Sequence, residues 1–196
     1  MSELSRRDLL QSIALSVTVG GLSPAAAQHV HSLAAGEKAT TGVYKAKALN
    51  PHEYVTLERL ADLIIPPDEK SPGAVASGAC EFIDLLASQN PRLQAIYTGG
   101  IAWLDQSMKR RYSTDFVNAK PNQQTSLLDL IAYRRNESAE LGPGIEFFDW
   151  ARRMVVDAYY TSPLGIKAIG YMGNTSVAKF EVPQEAIDHA VKLSPA

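Results

Sequence analysis

The residues best able to bind a metal ion or to transfer a proton are few and widely separated in this sequence. His29 and His31 lie two positions apart and could bind a metal ion weakly, but no third ligand follows nearby. His52 and His189 stand at opposite ends of the remaining chain, and neither has a metal-ligand spacing. We therefore expect this chain to hold no metal ion and no cofactor of its own.

The sequence motifs that mark common catalytic or nucleotide-binding sites are also absent. There is no Cys-x-x-Cys-His for covalent haem, no Gly-x-Ser-x-Gly turn and no phosphate-binding loop. Asp68 and Glu69 follow two prolines in a loop, where solvated charge is the usual role, and the glycines of 170–173 lack a strand–turn–helix context. These observations predict no catalytic residue. An independent enzyme is kept as an alternative.

The single cysteine, Cys80, cannot form a disulfide bond within the chain. An unpaired thiol is more often a small buried apolar side chain than a reactive group. A bond to a partner chain is the alternative, because an unpaired cysteine can form a disulfide bond between chains. Cys80 is therefore kept among the candidate interface residues.

Aromatic residues cluster late in the chain and supply the other candidates for a partner interface. Tyr159 and Tyr160 are adjacent, so only one of them can face the interior of a helix. Tyr171 lies in a glycine-rich segment, where an exposed ring can be covered by another protein. A tyrosine at an interface buries a large apolar ring while its hydroxyl group stays hydrogen-bonded.

These residues must be positioned by helices, because helical periodicity dominates the chain from Asn50 onward and no strand pattern of useful length appears. Asn50, Pro51 and Glu53 predict a capped helix start, and Pro66 ends that helix. The fold class is therefore all-α, a single domain of about five or six helices. Further helices are expected over about 79–88, 92–112, 121–136 and 147–158, with a last short helix from Pro183.

Glycines modify this helical pattern in two places. Gly99 and Gly100 lie in the middle of the helix expected over 92–112 and cost about 1 kcal/mol each relative to Ala. Their presence predicts a kink or a close helix crossing. Residues 164–175 contain further glycines and are expected to form an ordered loop.

The N-terminus has the three parts of a twin-arginine signal peptide. Arg6 and Arg7 stand in Ser-Arg-Arg-x-Leu-Leu, and they are followed by a mildly apolar stretch that is shorter than the about 20 residues of a membrane span. The small residues at 25–27 supply a cleavage site, although whether it is used is left open. The predicted organisation is a signal peptide at 1–27, a flexible leader at 28–49 and a helical domain at 50–196.

The charge balance excludes some classes of partner. Lys and Arg total 19 against 21 Asp and Glu, so the net charge is -2 and nothing indicates nucleic-acid binding. The signal instead predicts delivery to the periplasm by the twin-arginine translocase. This route carries folded proteins, which commonly hold a cofactor or a bound partner chain. Since no cofactor site is evident here, we expect the signal to serve a partner.

Short motifs along the chain, taken in order, resemble the small subunit of the gluconate 2-dehydrogenase family, subunit 3. The resemblance spans residues 54–175, and the twin-arginine signal is typical of the family. The motifs lie at 60–66, 71–74 and 81–86, then at Leu104, Phe116, Leu127, 147–148, 159–162 and 170–174.

The resemblance implies a non-catalytic subunit of an enzyme complex. In that family the small subunit associates with a large flavoprotein of the glucose-methanol-choline type, which holds FAD and oxidises a sugar, sugar acid or polyol. A cytochrome c subunit often takes the electrons onward, and membrane association through the complex is left open. The small subunit is expected to bind, stabilise and escort the flavoprotein through the twin-arginine translocase. A transient export chaperone is a further alternative.

Overall fold

The chain folds almost entirely into helices. The computed structural model describes residues 6–19, 21–171 and 182–193. Within these ranges there are ten α-helices, a 3₁₀ turn at Arg134–Asn136 and no β-strand, so the predicted all-α fold is confirmed. The helices are α1 (Arg6–Val19), α2 (Pro24–Thr41), α3 (Pro51–Ile64), α4 (Gly73–Ala76), α5 (Ala79–Ala87), α6 (Pro91–Tyr112), α7 (Pro121–Ile131), α8 (Gly142–Thr161), α9 (Pro163–Ala168) and α10 (Gln184–Leu193).

Helix α5 forms the centre of the fold. Every one of its residues is buried, and helices α1, α2, α3, α4, α6 and α8 pack around it. The predicted helix over 79–88 is confirmed. A helix that is enclosed on all sides is normally apolar on all sides. Glu81 and Asp84 break this rule, and each of them has a charged or hydrogen-bonding partner.

The carboxylate of Asp84 fixes the segment between α2 and α3 onto the central helix. Its buried oxygens are saturated by charge-assisted hydrogen bonds, which explains how a carboxylate is accommodated inside the core. Burial, together with the adjacent Asp84, raises the pKa of the Tyr44 hydroxyl, which therefore remains a donor. The donors are Tyr44 Oη at 2.8 Å and Lys47 N at 2.7 Å to Oδ2, with Ala48 N and Leu49 N each at 3.0 Å to Oδ1.

Helix α3 begins with the predicted capping box. The side chain of Asn50 accepts a hydrogen bond from Glu53 N at 2.9 Å, and the Glu53 carboxylate accepts one from Asn50 N at 2.8 Å. Pro51 occupies the first turn, where a missing N–H costs nothing. The helix ends at Ile64, before Pro66, as its sequence predicts.

Helices α6 and α8 cross closely at two glycines. A Cβ atom on Gly100 would lie 2.0 Å from the Phe147 ring, and one on Gly144 would lie 2.3 Å from the Trp103 ring. The side of Gly99 is open, with nothing within 4 Å of its notional Cβ. Of the two predicted outcomes for the glycine pair, the close helix crossing is therefore the one observed.

The leader predicted for residues 28–49 is wrong in its local structure. Helix α2 continues to Thr41 and ends at Gly42, whose φ of 77° lies in the left-handed region that glycine favours. The stripe that faces the core consists of Ala27, Val30 and Ala34, which are too small to produce a strong hydrophobic periodicity. The residues after α2 are held by Asp84, so this segment is part of the packed domain.

The ordered loop predicted for 164–175 is partly helical. Ser162 caps α9 by accepting a hydrogen bond from Gly165 N at 2.9 Å, and Pro163 occupies its first turn. The helix ends before Gly170, whose φ is 65°. Residues 172–175 of the predicted loop lie outside the described residues.

Candidate partner interface

The four predicted interface residues lie in different environments. Tyr160 and Tyr171 are 46% and 55% exposed, whereas Tyr159 and Cys80 are 2% and 0% exposed. The expectation that only one of the adjacent tyrosines faces the interior is therefore confirmed. The structure brings Tyr159 and Tyr160 together, with ring centroids 5.0 Å apart in an edge-to-face arrangement.

The prediction of Cys80 as an interface residue is wrong. Its thiol lies in the buried cluster around α5, and burial raises its pKa well above the usual value of 9.0. A protonated thiol without access to solvent is a poor nucleophile and cannot reach a partner's sulfur. Cys80 thus acts as a small apolar core residue, the role that is commoner for unpaired cysteines.

The prediction of Tyr159 as a direct partner contact is also wrong, because this side chain holds a loop in place. Its hydroxyl group and that of Ser71 form a short hydrogen bond, which joins α8 to the loop after α3. That loop contains the proline pair that ends α3. Tyr159 therefore supports the surface on which Tyr160 lies, without itself facing solvent.

The end of α8, together with α9, exposes a group of large side chains that we call the α9 surface. It consists of Tyr160, Leu164, Ile169 and Tyr171, each between 42% and 56% exposed. Sequence reasoning found its two tyrosines and missed the two aliphatic residues, because this segment was predicted to be a loop. Large apolar side chains exposed along one short segment are typical of a contact site for another protein.

Helix α10 presents a second exposed apolar face. Its helical structure confirms the predicted last helix, but none of its described residues is buried. Ile187 and Val191, four positions apart on one face, are 41% and 67% exposed. Prediction from periodicity located this helix correctly and could not show that its apolar face is uncovered.

His29 and His31, which were expected in a flexible leader, are instead part of α2. His31 Nε2 lies 3.2 Å from Thr161 Oγ1, and its ring packs on Phe82 with a centroid distance of 4.7 Å. Burial lowers the pKa of His31 below its ordinary value, which favours the neutral ring. The His29 Nε2 atom is buried without a partner among the described residues.

A cavity of about 430 Å³ lies between α2, the start of α5 and the end of α8. Its wall includes His31 and the ion pair between Lys38 Nζ and Glu81 Oε1, which are 3.2 Å apart. These groups could bind a small polar molecule. In the part of the chain that the structure describes, no group of three or more His, Cys, Asp or Glu side chains is arranged to hold a metal ion.

His52 forms a hydrogen-bonding contact with Asp105 that sequence spacing did not reveal. His52 Nε2 lies 2.7 Å from Asp105 Oδ2, and Asp105 Oδ1 accepts a hydrogen bond from Phe116 N at 2.9 Å. A His–Asp pair occurs in catalytic triads, where the histidine contacts a nucleophile. Here the carboxylate connects α3, α6 and the loop that carries Phe116, so the contact braces three parts of the fold.

The arginines of the predicted signal form the first turn of a folded helix. Arg6 and Arg7 begin α1, which packs against α5. Over residues 6–19, 21–171 and 182–193, none of the helices has both the length and the apolar character needed to cross a membrane.

The fold and these placements define a class of protein: a small all-α domain whose buried carboxylates hold chain segments together. The chain belongs to the family described as gluconate 2-dehydrogenase subunit 3, whose model matches residues 51–178. Neither a curated protein nor a solved structure matches the chain. The match confirms the resemblance seen in the sequence motifs and begins at α3. The family description also makes the chain one member of a multisubunit dehydrogenase complex.

Proposed function

We propose that this chain is a non-catalytic small subunit that binds, stabilises and escorts a large FAD-dependent dehydrogenase through twin-arginine export. The observation that carries the proposal is the family match over residues 51–178, which includes the helical core from α3 to α9. The partner is a flavoprotein of the glucose-methanol-choline type that oxidises a sugar, sugar acid or polyol. FAD belongs to that partner, and haem c would belong to a third subunit.

The buried polar groups support a structural role for this chain. The carboxylates of Asp84 and Asp105 bind backbone N–H groups of neighbouring segments, so their hydrogen-bonding capacity is used inside the fold. Catalytic acids and bases, in contrast, must present a free atom to a substrate. The interior of the domain is therefore suited to maintaining a fixed shape, as a supporting subunit requires.

The α9 surface supports a role in binding. Tyr160 and Tyr171 combine large rings with hydroxyl groups, while Leu164 and Ile169 add apolar area. Such a mixture is typical of the centre of a stable protein interface. We propose that the α9 surface contacts the flavoprotein subunit.

Purification of a tagged chain from its native host tests the proposal. We expect a second, larger polypeptide to co-purify, with the absorbance of bound flavin and with dehydrogenase activity. A tagged chain that is recovered alone and colourless would overturn the proposal. Turnover or a bound cofactor in the chain alone would favour the independent enzyme. Loss of the flavoprotein after export, seen by size exclusion of the periplasmic fraction, would favour a transient chaperone.

A double substitution locates the contact. Tyr160→Ser with Ile169→Ser removes apolar area from the α9 surface without altering a buried side chain, so the domain should remain folded. We expect the amount of co-purified flavoprotein to fall severalfold. A matched control is Val55→Ser with Tyr133→Ser, which removes exposed apolar side chains from other elements. Equal recovery with both variants would exclude the α9 surface as the contact.

A further inference from the structure

Helix α1 lies against the helical domain instead of projecting from it. Ile13, Ala14 and Val17 are 6%, 0% and 4% exposed and belong to the same buried cluster as α5. Leu15, on another side of α1, is 59% exposed. The apolar stretch predicted as the centre of the export signal is therefore an amphipathic helix whose buried side packs on the domain.

The domain also donates hydrogen bonds to the backbone of α1. Asn90 Nδ2 donates to the Ala14 carbonyl oxygen at 2.8 Å, in a buried environment. The other atom of that amide, Asn90 Oδ1, caps α6 by accepting from Arg92 N at 3.0 Å and Leu93 N at 3.1 Å. The same asparagine thus caps α6 and binds α1. The contact with α1 is therefore made by a side chain whose position is fixed by the helix cap.

A second donor contacts α1 about one turn further along the helix. Arg153 Nη2 donates to the Val17 carbonyl oxygen at 3.5 Å, and its guanidinium group lies 4.1 Å from the centroid of the Trp150 ring. We call the residues that receive α1 the signal-binding face. It consists of Phe82, Asn90, Trp150, Arg153 and Met154.

The signal-binding face is incompletely filled. A cavity of about 360 Å³ lies between the end of α1 and helices α5 and α8, with Leu22, Phe82 and Met154 in its wall. Apolar surfaces next to unfilled space lose part of their packing energy. Because α1 has only 14 residues, it is also too short to be a stable helix in water by itself. These features suit a segment that can leave its binding site.

The predicted cleavage site is folded into a helix. Residues 25–27 belong to the first turn of α2, and Ala27 is 0% exposed. Proteases cleave segments that are exposed and free to extend. Cleavage after Ala27 therefore requires this turn to unfold.

We infer that the signal-binding face is an intramolecular binding site for the export signal, whose apolar side is withheld from the translocase while α1 is bound there. This inference rests on the proposed export function. The ligand of the site is an amphipathic helix with Ile13, Ala14 and Val17 on its buried side. Release of α1 makes the apolar side of the signal, Ile13, Ala14 and Val17, accessible.

The substitution Asn90→Asp tests the binding site without changing the signal. It keeps an oxygen for the α6 cap, since Asp is as good an N-cap as Asn, but removes the donor to Ala14 and places a carboxylate there. Hydrogen exchange of the amides of residues 8–19 should become at least about tenfold faster in the full-length variant, because one buried hydrogen bond is lost. Exchange in α6 should be unchanged.

A pair of variants in α1 tests the same binding if Asn90→Asp fails to fold. Val17→Asp places a charge against the signal-binding face, whereas Leu15→Asp adds the same charge to the exposed side of α1. Exchange in residues 8–19 should accelerate in the first variant only. Exchange at the rate of an unstructured peptide in the wild type, or equal exchange in both variants, would overturn the inference.

Export of the full chain completes the test. Pulse-labelled Asn90→Asp chain should reach the periplasm severalfold faster than the wild type, since its signal is identical but less often bound. Equal export rates, with faster hydrogen exchange, would show that α1 binds the face without controlling export. If conversion of Arg6 and Arg7 to lysine leaves the export of both chains unaffected, the proposed function fails. The hydrogen-exchange result still decides whether α1 binds to the signal-binding face.

Discussion

At the scale of single residues, the polar groups inside the core carry the clearest energetic roles. Asp84 lies at the centre of the domain and accepts four hydrogen bonds. Tyr97 is fully buried, and its hydroxyl group has no partner among the described residues. Changes to the Asp84 carboxylate and to the Tyr97 hydroxyl group should therefore affect the free energy of unfolding differently.

Replacement of Asp84 by Asn should lower the free energy of unfolding by about 2–3 kcal/mol, because an amide nitrogen would then face backbone N–H donors. Urea denaturation followed by circular dichroism measures this change. Asp129→Asn, at an exposed position of α7, is the matched control and should alter stability little. A similar small effect for both variants would show that the Asp84 hydrogen bonds do not stabilise the segment after α2.

Tyr97→Phe and Tyr44→Phe remove the same atom from different surroundings. Loss of the unpaired Tyr97 hydroxyl should leave stability unchanged or raise it by up to about 1 kcal/mol, since the edge-to-face contact with Phe147 remains. Loss of the Tyr44 hydroxyl should cost about 1.5 kcal/mol, because it donates to a buried carboxylate. Thermal denaturation ranks the two variants, and a reversed order would contradict this account of the core.

His31 should make stability depend on pH. Burial lowers its pKa from 6.5, so the unfolded chain takes up a proton more readily than the folded chain. Its contribution to stability is therefore complete above the unfolded pKa and is lost as the pH falls below about 6.5. Between about pH 7.5 and pH 5.5, His31→Gln should lose less unfolding free energy than the wild type. The exposed His189→Gln should behave like the wild type, and identical slopes for all three would refute this role.

At the scale of helices, sequence signals that act within a single turn predicted the structure better than those that depend on contacts between distant segments. The start of α3 was predictable because Asn50, Pro51 and Glu53 act within a single turn. Helix α2 was missed because small residues form its buried stripe, and α9 because its glycines outweighed the cap at Ser162. The buried position of Cys80 and Tyr159 depends on contacts with distant segments, which spacing along the chain does not specify.

The glycine pair in α6 tests the helix crossing. Gly100→Ala should lower the free energy of unfolding by at least about 1 kcal/mol, because its Cβ would overlap the Phe147 ring by more than helix propensity can offset. Gly99→Ala should instead raise it by up to about 1 kcal/mol, because its side is open and Ala favours the helix. Chemical denaturation of both variants checks the sign of each change, and stabilisation by both would contradict the close crossing.

At the scale of the whole molecule, a domain of the gluconate 2-dehydrogenase subunit 3 family follows an N-terminal segment that the sequence predicts to be an export signal. The helical fold and the family were predictable from the sequence, because motif order and periodicity extend over most of the chain. The binding of α1 to the domain was not predictable from the sequence, since it depends on the surface formed by α5, α6 and α8. We propose that Arg6 and Arg7 deliver a flavoprotein that this chain holds.

The most direct test is the location of dehydrogenase activity in cells whose chain carries Arg6→Lys and Arg7→Lys. These substitutions keep the charge and remove the guanidinium groups that a twin-arginine signal requires. Arg134→Lys with Arg135→Lys, an exposed arginine pair elsewhere in the chain, is the matched control. We predict that flavoprotein activity remains in the cytoplasm for the first variant and reaches the periplasm for the control. Undiminished periplasmic activity in the first variant would contradict the proposed escort function.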